Sequence, residues 1–148
     1  MFEKDNKTYY DWIDYRYDIQ QVKNFEFNHV VGIYRGSLGM AAHVSNVFDV
    51  PMSIVGFQTR DGKDNEPYMI HKAGEAPKQV LVVDDIYDSG YTMNRVINFL
   101  SNYSARMHNS KIQGFCLFGK ENKLNVSYAN EHDGSWIVFP WETLNEPV

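Results

Sequence analysis

The sequence predicts an α/β fold: a mostly parallel, twisted sheet with helices on both faces. Three observations predict it. Short apolar runs rich in β-branched residues, at His29–Tyr34, Pro51–Phe57, Val80–Val83 and Ile112–Phe118, read as strands. Apolar residues at helical spacing fill Leu38–Phe48 and Thr92–Asn102, each between two of those strands. The repeated strand–turn–helix order calls for right-handed crossovers between parallel neighbours.

The elements follow in order. Thr8-Tyr-Tyr-Asp11 resembles a capping box, and Tyr9, Trp12, Ile13 and Tyr17 fall near helical spacing behind it, so a helix is expected from Tyr9 to Lys23. Its aromatic side reads as core packing. The strand His29–Tyr34 ends at Arg35-Gly-Ser-Leu-Gly39, and the Ala-rich stretch after it reads as a helix. Gln58 to Lys78 is polar, holds glycines and prolines and shows no period. A loop of that length in a small domain reads as a lid. Val80–Val83 has the unbroken apolar character of a strand buried on both faces. In the helix beyond it, Val96, Ile97 and Leu100 share a face. From Ser127 the tail reads as irregular, with one apolar piece at Trp136–Trp141.

The chain has 148 residues, 43% of them hydrophobic, enough for one domain over 1–148 with its own core. A net charge of -5 argues against broad nucleic-acid binding, which needs a basic face. It leaves room for a small phosphorylated ligand, held by backbone N–H groups and a few cations. The single cysteine, Cys116, excludes an internal disulfide and reads as a buried thiol within Phe115–Phe118. No Cys/His spacing suggests zinc. With no signal-like or membrane-length apolar run, the expectation is a cytoplasmic protein.

Asp84 and Asp85 stand where the most buried strand runs out, which in an open α/β sheet is the ligand-binding end. Adjacent carboxylates repel, so they invite a cation or a polyol that donates hydrogen bonds. Asp88-Ser-Gly-Tyr-Thr92 then forms a short turn opening a helix, where free N–H groups and the helix dipole suit a phosphate. Other readings are weaker. A receiver domain carries its acid pair near the N-terminus, and a Walker loop requires a Gly-Lys-Ser/Thr ending that is absent here. A purely structural strand–turn–helix stays open on these residues alone.

Val82-Val-Asp-Asp-Ile-Tyr-Asp-Ser-Gly-Tyr-Thr92 resembles the 5-phosphoribosyl-1-pyrophosphate (PRPP) signature of the type I phosphoribosyltransferases, departing from its commonest form at Tyr91. The resemblance implies that Asp84 and Asp85 accept hydrogen bonds from the ribose hydroxyls and help hold Mg²⁺. It also implies that Asp88, Ser89, Gly90, Tyr91 and Thr92 cradle the 5-phosphate, with Asp88 near the base nitrogen N7 as a catalytic group. Tyr34-Arg-Gly-Ser-Leu38 looks like the family's pyrophosphate loop, which assigns Arg35 and Gly36 to the leaving group. Gln58–Lys78 takes the place of a mobile flap, with Arg60, Lys63, Lys72 and Lys78 as its cations.

The C-terminal part resembles the xanthine–guanine and hypoxanthine branch. Lys120, after the last clear strand, would donate to a purine 6-oxygen. Trp136 would pack on the purine face and the Ile137 carbonyl would meet its exocyclic group, in a small C-terminal hood; Glu142 replaces the branch's Asp. The implied activity is transfer of phosphoribose from PRPP to a purine base, releasing pyrophosphate and a nucleoside monophosphate, as in purine salvage. The alternatives are a PRPP-binding regulator without chemistry and a transferase for another base. The family also implies a homo-oligomer, for which Tyr9, Tyr10, Trp12 and Tyr15 would serve if exposed.

Overall fold

The computed structural model describes residues 1–57, 66–74, 77–103, 109–120 and 125–144. Six strands form one sheet in the order β5-β4-β3-β6-β7-β8. They are β3 His29–Tyr34, β4 Met52–Gly56, β5 Tyr68–His71, β6 Gln79–Tyr87, β7 Lys111–Gly119 and β8 Val126–Glu131. All neighbours are parallel except β4 and β5. The predicted mostly parallel sheet is therefore present.

Strand order reverses between β3 and β6. From β3 the chain crosses through helix α2 (Leu38–Phe48) to β4 on one side. From β6 it crosses through α3 (Tyr91–Tyr103) to β7 on the other. Two right-handed crossovers in opposite directions put their helices on opposite faces. The side chains follow. Leu81 and Val83 of β6 pack with Met40, Ala41 and Val44 of α2, whereas Val80 and Val82 pack with Met93, Val96 and Leu100 of α3. Alternation along one fully buried strand thus feeds two cores, which explains its unbroken apolar run. Cys116 is fully buried in the second core, where desolvation pushes its thiol well up.

Beyond the carboxyl ends of the strands sits a second, small sheet. Its strands are β1 Phe2–Lys4, β2 Lys7–Tyr9 and β9 Trp136–Val138, in the order β1-β2-β9. β1 pairs antiparallel with β2, and β2 runs parallel to β9 with Thr8 opposite Ile137. The expected C-terminal hood is therefore built from both chain ends.

This pairing corrects the N-terminal reading. Thr8 lies in β2 and does not cap a helix; its hydroxyl meets the Ser135 hydroxyl at 2.8 Å. Asp11 is the cap, accepting from the Asp14 N–H at 2.8 Å while Asp14 accepts from the Asp11 N–H at 3.0 Å. Helix α1 runs only from Trp12 to Asp18 and continues as a 3-10 helix, Ile19–Asn24. Two more expectations fail for one reason, sheet pairing of short segments that show no clear period. The loop Gln58–Lys78 contains β5, and the supposedly irregular tail contains β8 and β9. Of the four aromatics proposed for an interface, Tyr10 and Tyr15 are core residues and Trp12 is exposed.

Candidate active site

The site lies over the reversal between β3 and β6, where the turns after two adjacent strands diverge and leave a crevice. The turn after β3 is pinned by Ser37, fully buried, whose hydroxyl accepts from the Ile33 N–H at 2.7 Å and donates to the Ile33 carbonyl at 3.1 Å. That loop of bonds turns the chain back and leaves Tyr34, Arg35 and Gly36 exposed above the sheet. The Tyr34–Arg35 peptide bond is cis. Gly36 faces the acid pair so closely that a Cβ there would lie 3.2 Å from Asp85 Oδ2. A side chain would fill the space between the arginine turn and the carboxylates.

Strand β6 runs through Tyr87, so Asp84 and Asp85 sit within the strand and not past its end. Asp84 is buried, and Asp85 is held by the Ile86 N–H at 2.8 Å. Desolvation, then the charge of Asp85, pushes the Asp84 carboxyl well above the usual carboxylate range. Asp85 is also raised, chiefly by burial, with Glu142 adding to the effect. Such a pair gains most from a ligand that brings positive charge or hydrogen-bond donors.

After Tyr87 the chain enters the turn Asp88–Gly90. Gly90 has φ +82, and a Cβ on it would meet the Tyr87 hydroxyl at 2.6 Å. Only glycine fits both demands. Helix α3 begins at Tyr91, so the first-turn N–H groups at this end lack helical partners and face the crevice. The Tyr91 N–H reaches the Ser89 hydroxyl at 3.2 Å. The Tyr91 ring packs beside Phe57, with the Arg95 guanidinium 5.6 Å above it. Its bulk is thus taken up along the helix flank.

Two adjoining cavities result. One, of about 1120 Å³, is lined by Arg35, Gly36, Asp84, Asp85 and Thr92, and extends under Trp12 and Trp141. The other, of about 510 Å³, is lined by Asp85, Asp88, Ser89, Gly90, Tyr91 and Thr92 and by Trp136 and Ile137 of β9. Asp85, Thr92 and Glu142 line both and mark the passage between them. Lys120 does not line either; at the end of β7 its Nζ stands 3.2 Å from Asp88 Oδ1.

Trp136 is 69% exposed, so its indole is not spent on core packing. The Ile137 side chain is buried. The Val138 carbonyl accepts from the Tyr10 N–H at 3.0 Å and so faces β2. Carbonyls alternate along a strand, which turns that of Ile137 to the open edge of β9. The predicted flap cations divide. Arg60 and Lys63 lie outside the described residues. Lys72 follows β5, whose His71 pairs with Ile54, and Lys78 precedes β6. Both lie toward the amino ends of the parallel strands, away from the crevice. Among the described residues no cluster of three or more His, Cys, Asp or Glu is arranged to hold a metal. Sequence reasoning missed the roles of Ser37 and Thr8, which lie in segments read for other reasons, and missed Ser135 and His132, which belong to no local motif.

A family model described as the phosphoribosyl transferase domain matches residues 3–146. The chain belongs to the phosphoribosyltransferase family. It is 27% identical over 135 residues to the xanthine-guanine phosphoribosyltransferase of Cereibacter sphaeroides, covering 86% of this chain and 77% of that one. With the enzyme of the same name from Gluconobacter oxydans it shares 29% over 131 residues, covering 82% and 72%. The fold matches a purine phosphoribosyltransferase from Pyrococcus horikoshii with TM-score 0.74 at 24% identity, over 97% of this chain and 99% of the other. It also matches a Helicobacter pylori xanthine-guanine-hypoxanthine phosphoribosyltransferase with TM-score 0.74 at 21% identity, over 92% of each. The matched span takes in the arginine turn, the acid pair and the turn Asp88–Gly90.

Proposed function

We propose that the protein transfers phosphoribose from PRPP to a 6-oxopurine, releasing pyrophosphate and a nucleoside monophosphate. The observation that carries this reading is the pair of adjoining cavities sharing Asp85 and Thr92. One end presents an arginine and an acid pair; the other presents a phosphate turn and an unspent indole. The similarity to curated xanthine-guanine enzymes supports the choice of base.

In this reading the 5-phosphate sits on the N-terminus of α3, against Ser89 and Thr92. Asp84 and Asp85 accept from the ribose 2- and 3-hydroxyls, which replaces their mutual repulsion with hydrogen bonds. Two hard carboxylates at one point suit Mg²⁺, whose other ligands would be water and phosphate oxygens, and the ion would neutralise charge on the leaving group. Arg35 meets the pyrophosphate through its planar fork of donors. The purine lies against Trp136, with its 6-oxygen toward Lys120 and its exocyclic group toward the Ile137 carbonyl. The bond from C1 to pyrophosphate breaks and one from C1 to N9 forms. Asp88 stands beside Lys120 where it can assist the proton at N7. Catalysis rests on positioning and charge stabilisation, without a covalent intermediate.

The Lys120–Asp88 pair is half-exposed on both sides, so it is worth about 1 kcal/mol at most and is cheap to open for a ligand. The test is an assay of PRPP and Mg²⁺ with xanthine, guanine, hypoxanthine and adenine in turn. At least one 6-oxopurine is expected to yield its monophosphate. Adenine, whose amino group opposes an ammonium, is expected to yield none. PRPP binding without product from any base would replace this reading with that of a PRPP-sensing regulator.

A further inference from the structure

One buried titratable side chain at the site has no role in that scheme. His132 lies in the bend between β8 and β9, with 8% of its side chain exposed, and lines the cavity of the phosphate turn. Its Nε2 stands 3.0 Å from the Ser135 carbonyl oxygen. A carbonyl only accepts, so Nε2 carries the hydrogen. The other ring nitrogen, Nδ1, is buried without a hydrogen-bond partner. It points at Asp88 Oδ1 from 3.6 Å, the same oxygen that holds Lys120. In the neutral ring Nδ1 is an acceptor facing an acceptor, which binds nothing. Protonation turns it into a donor aimed at a carboxylate, a charge-assisted pair.

We propose that His132 is a positioning residue: its imidazolium takes hold of Asp88 when Lys120 turns to the oxygen of the incoming base. The lysine clause rests on the function proposed above; the coupling of His132 to Asp88 does not. The arrangement answers a physical problem. Asp88 is 61% exposed and sits on a turn, and once Lys120 leaves, the described residues offer it no other cation. His132 is well placed to replace it because it is fixed from the hood. Its anchor, Ser135, donates its N–H to Asp133 at 2.8 Å and shares a hydroxyl hydrogen bond with Thr8 of β2. The Phe118 ring lies edge-on to the imidazole at 6.5 Å. The device therefore ties the phosphate turn to the strand that carries Trp136.

The charged groups around His132 come from several elements. Asp88 and Lys120 face it from the ends of β6 and β7. Glu131 and Asp133 flank it, Glu131 accepting from the Tyr128 hydroxyl at 2.7 Å. Across a neighbouring cavity lie Glu3 and the N-terminal amine, the latter 2.8 Å from Asp14.

The experiment is an NMR pH titration of the His132 ring in the full chain, with the signal assigned by its loss in His132→Asn. Removing the competing ammonium in Lys120→Met is expected to raise the midpoint by about half a unit or more, and Asp88→Asn is expected to lower it. Guanosine monophosphate, drawing Lys120 to its 6-oxygen, is expected to raise the midpoint in the wild type. A midpoint that moves in neither variant overturns the proposal. In turnover, His132→Leu is expected to lose about tenfold in kcat with the KM for PRPP unchanged. His132→Asn, which keeps a donor near the Nδ1 position but cannot titrate, is expected to recover most of that loss and to flatten the pH profile. Equal losses in both variants would make the role merely structural and also overturn it. Coupling of the titrations without conversion of any purine would leave the coupling of His132 to Asp88 standing and remove both the lysine clause and the assigned function.

Discussion

In the β6–α3 segment, every group from Asp84 to Thr92 comes from one short stretch of chain, running from the end of a strand buried on both faces through a turn into a helix. In the hood, Thr8 and Trp136 come from opposite chain ends, on two strands of three residues each, with Ser135 in the bend just before the second. The first region is held by two cores; the second joins only one of them, through Ile137, and leaves Trp136 in solvent. The difference teaches where each task belongs. On the proposed function, groups that meet the sugar phosphate sit on or just beyond the stiff frame, and groups that choose the base sit on a small platform that can vary without disturbing it.

Changes to the frame are expected to cost most. Asp85→Asn should reduce turnover by on the order of 10²-fold or more, in a steady-state assay with saturating base. Asp88→Asn should lower kcat more than it weakens PRPP binding; equal losses would remove its role in proton transfer. The frame also carries a stability cost that separates it from the hood. The folded value of Asp84 is raised above its unfolded one, so its contribution is full below the ordinary carboxylate range and is lost as pH rises through the folded value. Asp84→Asn should therefore raise the Tm of the ligand-free protein at neutral pH by about 3 °C while abolishing activity, with the gain shrinking toward pH 4. A variant that is less stable at neutral pH would contradict the burial argument.

Changes at the base end should spare PRPP. Lys120→Ala should raise KM for a 6-oxopurine by about tenfold, near 1.4 kcal/mol, and leave KM for PRPP unchanged. An unchanged KM for the base would remove Lys120 from the site. The smallest effect is expected at Thr8→Val, which removes the hydroxyl bond to Ser135. It should cost about 1 kcal/mol of stability and raise only the base KM a few-fold. An equal rise in the KM for PRPP would show that hood and frame are not separable.

The same contrast governs what the sequence makes legible. β3 and α2 fall on the expected residues, and β6, α3 and β7 lie within a few of them, because their patterns are local and their burial is one-sided or complete. The turn Asp88–Gly90 that opens α3 was legible because its residues are contiguous. The hood was not, since β2 acquires its partner only when β9 arrives from the far end of the chain. That pairing also took Thr8 out of its apparent cap, leaving the role to Asp11. β8 was missed because Val126–Glu131 is a polar edge strand paired on one side only. His132 carries no motif; only the bend between β8 and β9 brings it to Asp88.

The most direct test of one site serving both substrates is base-dependent release of pyrophosphate from PRPP, measured in the wild type and in Trp136→Ala. The wild type should release pyrophosphate only when a 6-oxopurine is supplied, one for each nucleoside monophosphate formed. Trp136→Ala should bind PRPP as before and lose most of that base-dependent release. Release that needs no base, or loss of PRPP binding in Trp136→Ala, would contradict a fixed frame joined to a separate base platform.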